Sequence, residues 1–238
     1  GRMNLGVVTL NLPRMALESA GNQEEFWNIL NERLEVARAA LVYRIHRVKQ
    51  ARPENAPILY MNGAWGRKLQ ATDDVAELFT KKRATISLGY IGLYEAATVF
   101  FGPDWEGDTI AKQFTLDILA ELKRKCDQWG DEQGIHFSVY STPSESLTDR
   151  FCRLDQEQFG TIKNITDKEY YTNSFHYDVR KKPTPFEKID CEKDYPVYCS
   201  GGFIHYVEYP NIQQNPKALE AVWDYSYDKV AYLGTNAP

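Results

Sequence analysis

The sequence predicts an α/β fold, in which the strands of a sheet or barrel alternate with helices. Short runs rich in Val, Ile, Leu and Thr are separated by longer segments whose apolar residues recur every three or four positions. This order of strand followed by helix is typical of parallel sheets. The 238 residues include 43% hydrophobic and 13% aromatic residues, which is enough to bury a large core.

The chain begins with a predicted strand over residues 5–12, which ends at Pro13. Asn22, with Glu25 three residues later, predicts the start of a long helix that continues to about Val48. One face of this helix is expected to pack against the core, because apolar residues recur on it at helical spacing: Phe26, Ile29, Leu30, Leu34, Ala37, Leu41 and Ile45.

The alternation continues along the chain, with one long interruption. Glycines and capping residues separate the next predicted elements: a short helix over 73–79 capped by Thr72, a strand over 83–88, a segment over 93–101 that follows the breaks at Gly89 and Gly92, a helix from Asp108 to about Trp129, a strand over 135–140 and a helix over 144–158. Between Gly160 and Pro196 the periodic pattern is lost, which predicts loop or short strands. The last predicted elements are strands over 197–200, 203–209 and 230–233 and a helix from Asn215 to about Asp228.

Charge and hydropathy argue against two classes of partner. The net charge is -5, and no basic run is longer than residues 81–83 or 180–182, so no nucleic-acid binding is expected. The apolar runs are much shorter than the roughly 20 residues that cross a bilayer. No membrane contact is expected, and the absence of a signal-peptide pattern predicts a cytoplasmic protein.

The cysteines and histidines give no metal or redox motif. Cys126, Cys152, Cys191 and Cys199 lack the spacing of a zinc site or a redox dithiol, so they are expected to be buried thiols. The four histidines have no partner at metal-ligand spacing, and no metal is predicted. Motifs of hydrolases, kinases and zinc proteases are absent from the sequence.

The sharpest chemical motif is a predicted turn from strand to helix over residues 137–146. Thr142 as N-cap, Pro143 at the first helical position and Glu145 three residues after the cap predict a capping box. The free N–H groups and dipole of the helix, with the hydroxyls of Ser141 and Ser144, would together hold an anion such as a phosphate. A capping box also forms without a ligand, so both interpretations stay open. A pair of catalytic carboxylates among the 33 acidic residues stays open as well.

Five segments that span the chain resemble one family, the anaerobic (class III) ribonucleoside-triphosphate reductases. They are residues 4–14 (NLGVVTLNLPR), 87–95 (SLGYIGLYE), 140–146 (YSTPSES), 173–177 (NSFHY) and 200–206 (SGGFIHY). The resemblance implies that the α/β fold is part of a ten-stranded α/β barrel of the glycyl-radical enzyme and ribonucleotide reductase type. Residues 1–238 are then expected to be a single fragment of this catalytic barrel, cut at both ends.

The activity that the resemblance implies is the reduction of ribonucleoside triphosphates to 2′-deoxyribonucleoside triphosphates, which supplies DNA replication. In the family a cysteine thiyl radical removes the ribose 3′ hydrogen, formate often supplies the electrons, and a separate radical S-adenosylmethionine activase places the stored radical on a glycine. The family also implies zinc, ATP and other nucleoside-triphosphate effectors, and a homodimer.

The family's radical parts are expected to lie outside this chain. The resemblance places the radical cysteine upstream of it and the zinc site and glycyl-radical loop downstream. No cofactor is therefore expected within the fragment, none of its four cysteines receives a family role, and the isolated fragment is expected to be inactive.

The resemblance also assigns roles to individual residues. Asn4 matches a family asparagine that binds ribose hydroxyls and has a catalytic role. Its amide can donate to one hydroxyl and accept from another, which fits a pair of neighbouring hydroxyls. The alternative is an asparagine at a strand edge or turn without this role. The cradle for the substrate phosphates is matched by one turn: Ser141, Thr142, Ser144, Glu145 and Ser146. Three more residues are expected to line the cavity: Tyr140, His205 and Asn236.

Two other functions stay open at this stage. One is a non-catalytic nucleotide-binding fragment that keeps the fold without the chemistry. The other is a glycyl-radical enzyme of the pyruvate formate-lyase type, which shares the barrel but does not act on nucleotides. A phosphate cradle at residues 141–146 argues against the second.

Overall fold

Three parallel strands form the central sheet of the computed structural model, which describes residues 3–79, 82–141, 144–209 and 215–236. The strands β1 (Met3–Asn11), β2 (Ala84–Ile91) and β3 (His136–Tyr140) lie side by side in this order. The register of β1 and β2 shifts between Asn4 and Val7, where Gly6 has a φ of 146°. This irregularity lets Asn4 lie close to β2.

Two further parallel strands form a second sheet, which an isolated parallel bridge between Ser141 and Phe203 joins to the end of β3. These are β4 (His205–Glu208) and β5 (Leu233–Asn236). The residues just before β4 pair with the end of β3, because the Ser141 N–H donates to the Gly202 carbonyl at 3.0 Å and the Gly201 N–H donates to the Val139 carbonyl at 2.7 Å. The five strands therefore follow one another in chain order and run in the same direction, as in part of an α/β barrel.

The described residues form eight α-helices, and most of them connect one strand to the next. They are α1 (Leu12–Glu18), α2 (Gln23–Lys49), α3 (Pro57–Tyr60), α4 (Leu93–Phe101), α5 (Thr109–Gln133), α6 (Glu145–Phe159), α7 (Pro185–Glu192) and α8 (Pro216–Ser226). The two long helices α2 and α5 begin at side-chain caps, since Asn22 accepts from the Glu25 N–H and Asp108 accepts from the Ile110 N–H.

The two faces of the β1–β3 sheet differ in polarity. Ile86 and Leu88 of β2 and Phe137 and Val139 of β3 pack with the apolar sides of α2 and α5 in the largest core. Side chains alternate along a strand, so the residues between them point to the opposite face. We call this opposite face the inner face; it carries Asn4, Ser87, Gly89, Ser138 and Tyr140.

Most of the predicted elements are confirmed. The alternation of strands with helices, the long helices that begin after Asn22 and Asp108, and the strand that contains residues 136–140 occur as the sequence predicts. The helix predicted over 144–158 is α6, although its N-cap is Ser144 instead of Thr142, so the predicted capping box is not the start of the helix.

Several predicted boundaries and assignments are wrong. The chain turns into α1 at Leu12, where Asn11 caps the helix, and this helix was not predicted. The short helix after Thr72 is a 3₁₀ helix over Val75–Phe79. Residues 197–200 do not form a strand, because a 3₁₀ turn over Pro196–Tyr198 occupies this stretch. The last strand begins at Leu233 instead of residue 230, and α7 lies within the stretch predicted as loop or short strands.

Candidate functional site

A line of polar side chains crosses the inner face from β1 to β3. The Asn4 amide nitrogen donates to the Ser87 hydroxyl at 2.9 Å, and the Ser87 and Ser138 hydroxyls lie 3.0 Å apart. The Asn4 amide oxygen accepts the Gly6 N–H at 3.0 Å, which fixes the orientation of the side chain. Asn4 is exposed, and each end of its amide keeps further hydrogen-bonding capacity for a ligand.

A cavity of about 680 Å³ lies near the carboxyl ends of the strands. This is the usual position of ligand sites in parallel α/β folds, and the volume is typical of sites for small molecules. One wall is the irregular segment that precedes α7, and the other is β4 with β5. The residues that line it are Asp167, Lys168, Glu169, Tyr170, Thr172, Asn173, His176, Tyr177, Asp178, Val179, Arg180, Lys188, Tyr206, Glu208 and Asn236.

The irregular segment is held across the end of β2 by backbone hydrogen bonds. The Gly92 N–H donates to the Thr172 carbonyl at 2.9 Å, and the Leu93 N–H donates to the Ser174 carbonyl at 3.3 Å. Between these two contacts, the Asn173 side-chain oxygen accepts the Ser144 N–H at 3.0 Å. The start of α6 is therefore attached directly to a residue of the cavity wall.

The residues of the predicted phosphate cradle have different surroundings. The side chain of Ser144 makes no capping hydrogen bond, and Ser146 is exposed in the first turn of α6. Ser141 is fully buried on the helix side of the sheet, where its hydroxyl lies 2.8 Å from the Tyr90 hydroxyl and 3.0 Å from Cys199 Sγ. Its hydroxyl is thus not available to a phosphate. Thr142 and the side chain of Glu145 lie outside the described residues.

The three residues expected to line the cavity have different surroundings. Asn236 lines it. Tyr140 is half-buried at the end of β3, on the inner face and opposite Gly89. His205 is buried and is absent from the cavity wall, because it points to α7 and its Nδ1 lies 3.1 Å from a carboxylate oxygen of Glu192. Asn4 lies near the start of β1, whereas Tyr140 and Asn236 lie at the carboxyl ends of β3 and β5.

A buried ion cluster supports the cavity wall beside β2. The Lys168 ammonium lies 2.5 Å from Glu95 and 2.6 Å from Asp178, and all three side chains are almost fully buried. Glu95 also accepts hydrogen bonds from the N–H and the hydroxyl of Thr172. Burial would raise the pKa of Asp178, but its hydrogen bond with Lys168 and the charge of Lys168 outweigh this effect and lower the pKa.

A second buried cluster surrounds the carboxylate of Glu192 on α7. It accepts hydrogen bonds from Lys188 and from the Tyr177 N–H, and it contacts both His176 and His205. Burial would raise the pKa of Glu192, but attraction to His176 and Lys188 and hydrogen bonds outweigh it and hold the pKa well below its usual range. Glu192 therefore remains ionised at neutral pH.

Sequence reasoning missed both clusters. Glu95 and His176 lie within the segments 87–95 and 173–177, which were singled out for their resemblance to a family and given no role. Their positions in the sequence could have marked them, because Glu95 follows Gly92 and His176 follows Asn173 by three residues, and the chain turns at both places. Lys168 and Glu192 lie in the stretch without periodicity, so no pattern marked them.

The four cysteines are not activated by their surroundings. Burial raises the pKa of Cys126 to about 12 and that of Cys152, Cys191 and Cys199 to about 11. These thiols are therefore protonated at neutral pH. Within the described residues, no three His, Cys, Asp or Glu side chains are grouped as metal ligands. None of the described helices combines the length and the apolar character that crossing a bilayer requires.

Comparison with known proteins gives one consistent result. The family model described as anaerobic ribonucleoside-triphosphate reductase matches residues 1–238. The chain is 55% identical to the anaerobic ribonucleoside-triphosphate reductase of Salmonella typhimurium over 239 aligned positions, which cover 100% of this chain and 34% of the relative. It is 44% identical to the protein of the same name from Enterobacteria phage T4, with 100% of this chain and 38% of the relative covered.

Solved structures show the same fold at lower identity. One of these is the anaerobic ribonucleotide reductase from Thermotoga maritima with dATP bound in the specificity site. This chain superposes on it with a TM-score of 0.72 and 20% sequence identity, and the match covers 96% of this chain and 36% of that chain. The expected fold class is thereby confirmed: the mixed sheet and helices are a part of the barrel found in that structure. The chain spans about a third of the length of these relatives.

Proposed function

The chain belongs to the anaerobic ribonucleoside-triphosphate reductase family, and from this premise we propose that it forms the substrate-binding part of an enzyme that reduces ribonucleoside triphosphates to 2′-deoxyribonucleoside triphosphates. The match along all 238 residues is the observation that carries this proposal. The cavity at the carboxyl ends of the strands, next to the start of a 15-residue helix, supports it.

In this proposal the nucleotide lies along the inner face. Its phosphates are held at the first turn of α6, where unpaired N–H groups and the positive end of the helix dipole favour an anion. Asn4 is level with His136, five residues before Ser141, so about 16 Å of strand separates the two parts. Of the polar residues between them, Tyr140 is half-buried, and Ser87 and Ser138 are buried and hydrogen-bonded to each other.

Each end of the site has a separate task. The Asn4 amide binds ribose hydroxyls and orients the sugar for the radical that takes its hydrogen. Ser144, Ser146 and the backbone of Glu145 hold the phosphates, whereas the Ser141 hydroxyl is left out because it is bonded in the core.

The family supplies the chemistry that this chain does not. We extend the proposal to a glycyl radical placed by a radical S-adenosylmethionine activase, to bound zinc and to formate as the reductant. We also propose that ATP and other nucleotides are effectors. The complete protein would then be a cytoplasmic homodimer that supplies deoxynucleotides for DNA replication. The described residues offer no group of zinc ligands, and their thiols have raised pKa values. We therefore assign the radical and the zinc to other segments of the complete protein.

An Asn4→Ala variant of the complete, activated protein tests the proposal. We expect the unchanged protein to convert CTP to dCTP without oxygen, and we expect the variant to lose at least about a hundredfold in kcat with a smaller change in CTP affinity, because the lost contact positions the sugar for reaction. Asn31→Ala, at an exposed site on α2, is the matched control and should retain activity. Normal dCTP formation by the Asn4→Ala variant would contradict the role of Asn4.

A further inference from the structure

His176 is a buried histidine in the cavity wall that lacks hydrogen-bond partners. It is 8% exposed, and neither ring nitrogen makes a hydrogen bond within the described residues. Its Nδ1 atom lies 3.3 Å from a carboxylate oxygen of Glu192, whereas Nε2 has no such neighbour within the described residues. Buried polar groups nearly always have a partner, so an unpartnered imidazole facing a cavity indicates that a ligand supplies one.

The surroundings of His176 fix the direction of its ring. The preceding backbone is anchored at Ser174, whose carbonyl accepts the Leu93 N–H, and the His176 N–H donates to the Asn173 carbonyl at 3.0 Å. The Glu192 carboxylate lies beside Nδ1, and its pKa is held well below its usual range by the neighbouring cations, despite burial. Because Nδ1 lies against Glu192, Nε2 is the ring nitrogen that remains buried without a partner beside the cavity.

The segment that carries His176 also contacts the start of α6. Asn173, three residues earlier, accepts the Ser144 N–H and lines the same cavity, so its amide nitrogen adds a donor between α6 and His176. Three cations also line this wall: Lys168, Arg180 and Lys188. Each of these cations is already paired with a carboxylate: Lys168 with Glu95 and Asp178, Arg180 with Asp178, and Lys188 with Glu192. The preference for an anion therefore rests on the Asn173 donor and on the start of α6.

The carboxylates of the wall do not cancel this preference beside His176. Asp178 is paired with Lys168 and Arg180, and Asp167 lies 3.8 Å from Arg180. Glu169 and Glu208 are exposed and lie on the far strand or the outer part of the segment. The donor nearest to the start of α6 is Asn173, whose side chain contacts Ser144 and whose carbonyl accepts the His176 N–H.

We propose that His176 binds the substrate directly, by donating a hydrogen bond from Nε2 to a phosphate oxygen of the bound ribonucleoside triphosphate. Glu192 is a positioning residue that sets the ring in this orientation. The inference rests on the proposed function, since that function supplies the triphosphate. It adds to the phosphate site a residue from outside the turn at 141–146.

Two amide replacements of His176 in the complete protein test this role. A glutamine side chain places its amide near the position of Nε2, whereas an asparagine side chain places it near Nδ1. We expect His176→Asn to weaken CTP binding about tenfold or more and His176→Gln to stay within a few-fold of the unchanged protein. Cytidine, which lacks phosphates, should bind all three proteins equally. His46→Asn, at an exposed site on α2, is the control for the substitution itself.

The binding constants separate the possible failures. CTP binding by His176→Asn at the strength of the unchanged protein would overturn the inference and leave the proposed function intact. The inference would also be overturned if His176→Asn and His176→Gln lost the same binding strength, and lost it equally for cytidine and CTP. The histidine would then stabilise the fold or contact the nucleoside, and would not bind a phosphate. If the unchanged protein bound no CTP, the proposed function and this inference would both be wrong.

Discussion

Lys168 neutralises two buried carboxylates and so stabilises the wall of the candidate site. Because its partners Glu95 and Asp178 are almost fully buried, the removal of the ammonium would leave two negative charges without solvent or a full set of partners. The folded pKa of Asp178 is lowered by Lys168 against the effect of burial. This pair therefore stabilises the protein above the unfolded pKa of about 4, and the contribution is lost as the pH falls through the lower folded pKa.

Lys168→Met should destabilise this region by about 3 to 5 kcal/mol, because it breaks a buried ion pair on one side. The apparent melting temperature of the complete protein measures the effect, with the exposed Lys163→Met as the matched control. The difference between Lys168→Met and the unchanged protein should shrink as the pH falls from about 4, the unfolded pKa, through the lower folded pKa of Asp178. A difference that is constant from pH 7 to pH 3 would show that the charge of Asp178 is not involved.

Individual residues of the site were predictable from the sequence only where a local motif marked them. Asn4 and the turn with Ser144 and Ser146 lie in such motifs, and the structure has Asn4 on the inner face and both serines at the start of α6. Their roles stay predictions. The pairing of Glu95 with Lys168 joins positions 73 residues apart, which no local pattern encodes. The buried place of the Ser141 hydroxyl depends on Cys199, which a different part of the chain supplies.

At the scale of elements, Gly92 controls the turn from β2 into α4. Its φ of 75° is in the left-handed region, and a Cβ atom at this position would lie 2.2 Å from Cγ of Pro13. The turn therefore requires glycine for its conformation and for the close packing of α1. Since Glu95 lies in the first turn of α4, the same glycine sets the position of the ion cluster with Lys168.

Gly92→Ala should destabilise the protein by about 1 to 3 kcal/mol more than Gly134→Ala, because only the first combines left-handed strain with overpacking. Gly134 is a matched control: it has a φ of 65° at the end of α5, and no atom lies within 4 Å of the position of its Cβ. Apparent melting temperatures of the two variants of the complete protein give the comparison. If both variants lowered the apparent melting temperature equally, the contact with Pro13 would relax without a cost in stability.

The sequence predicted elements well where the cap and the periodicity agree, as in α2 and α5. It failed for α7, although Thr184 and Glu187 form a capping box there, because the helix has only eight residues and Phe186 is exposed. Residues 197–200 have the composition of a strand, but they follow Pro196 and form a 3₁₀ turn. Short elements depend on their tertiary contacts, which a single sequence does not contain.

At the scale of the whole molecule, the five parallel strands form a curved part of a barrel with an apolar outer side and a polar inner face. Among the described residues, the nine-residue β1 is an edge of the three-stranded sheet and the four-residue β5 is an edge of the two-stranded sheet. The relatives are about three times as long as this chain. We expect other segments of the complete protein to cover these edges and to close the site, because open edges favour aggregation.

A structure of the complete protein with bound CTP tests the central claim most directly. We predict that the CTP phosphates lie at the first turn of α6 beside Asn173, with one phosphate oxygen within hydrogen-bond distance of His176 Nε2 and the ribose toward Asn4. The assignment of this chain as the substrate-binding part of the reductase would be contradicted if CTP bound in the barrel with its phosphates elsewhere. In that result, Asn4 and the start of α6 would contact only protein.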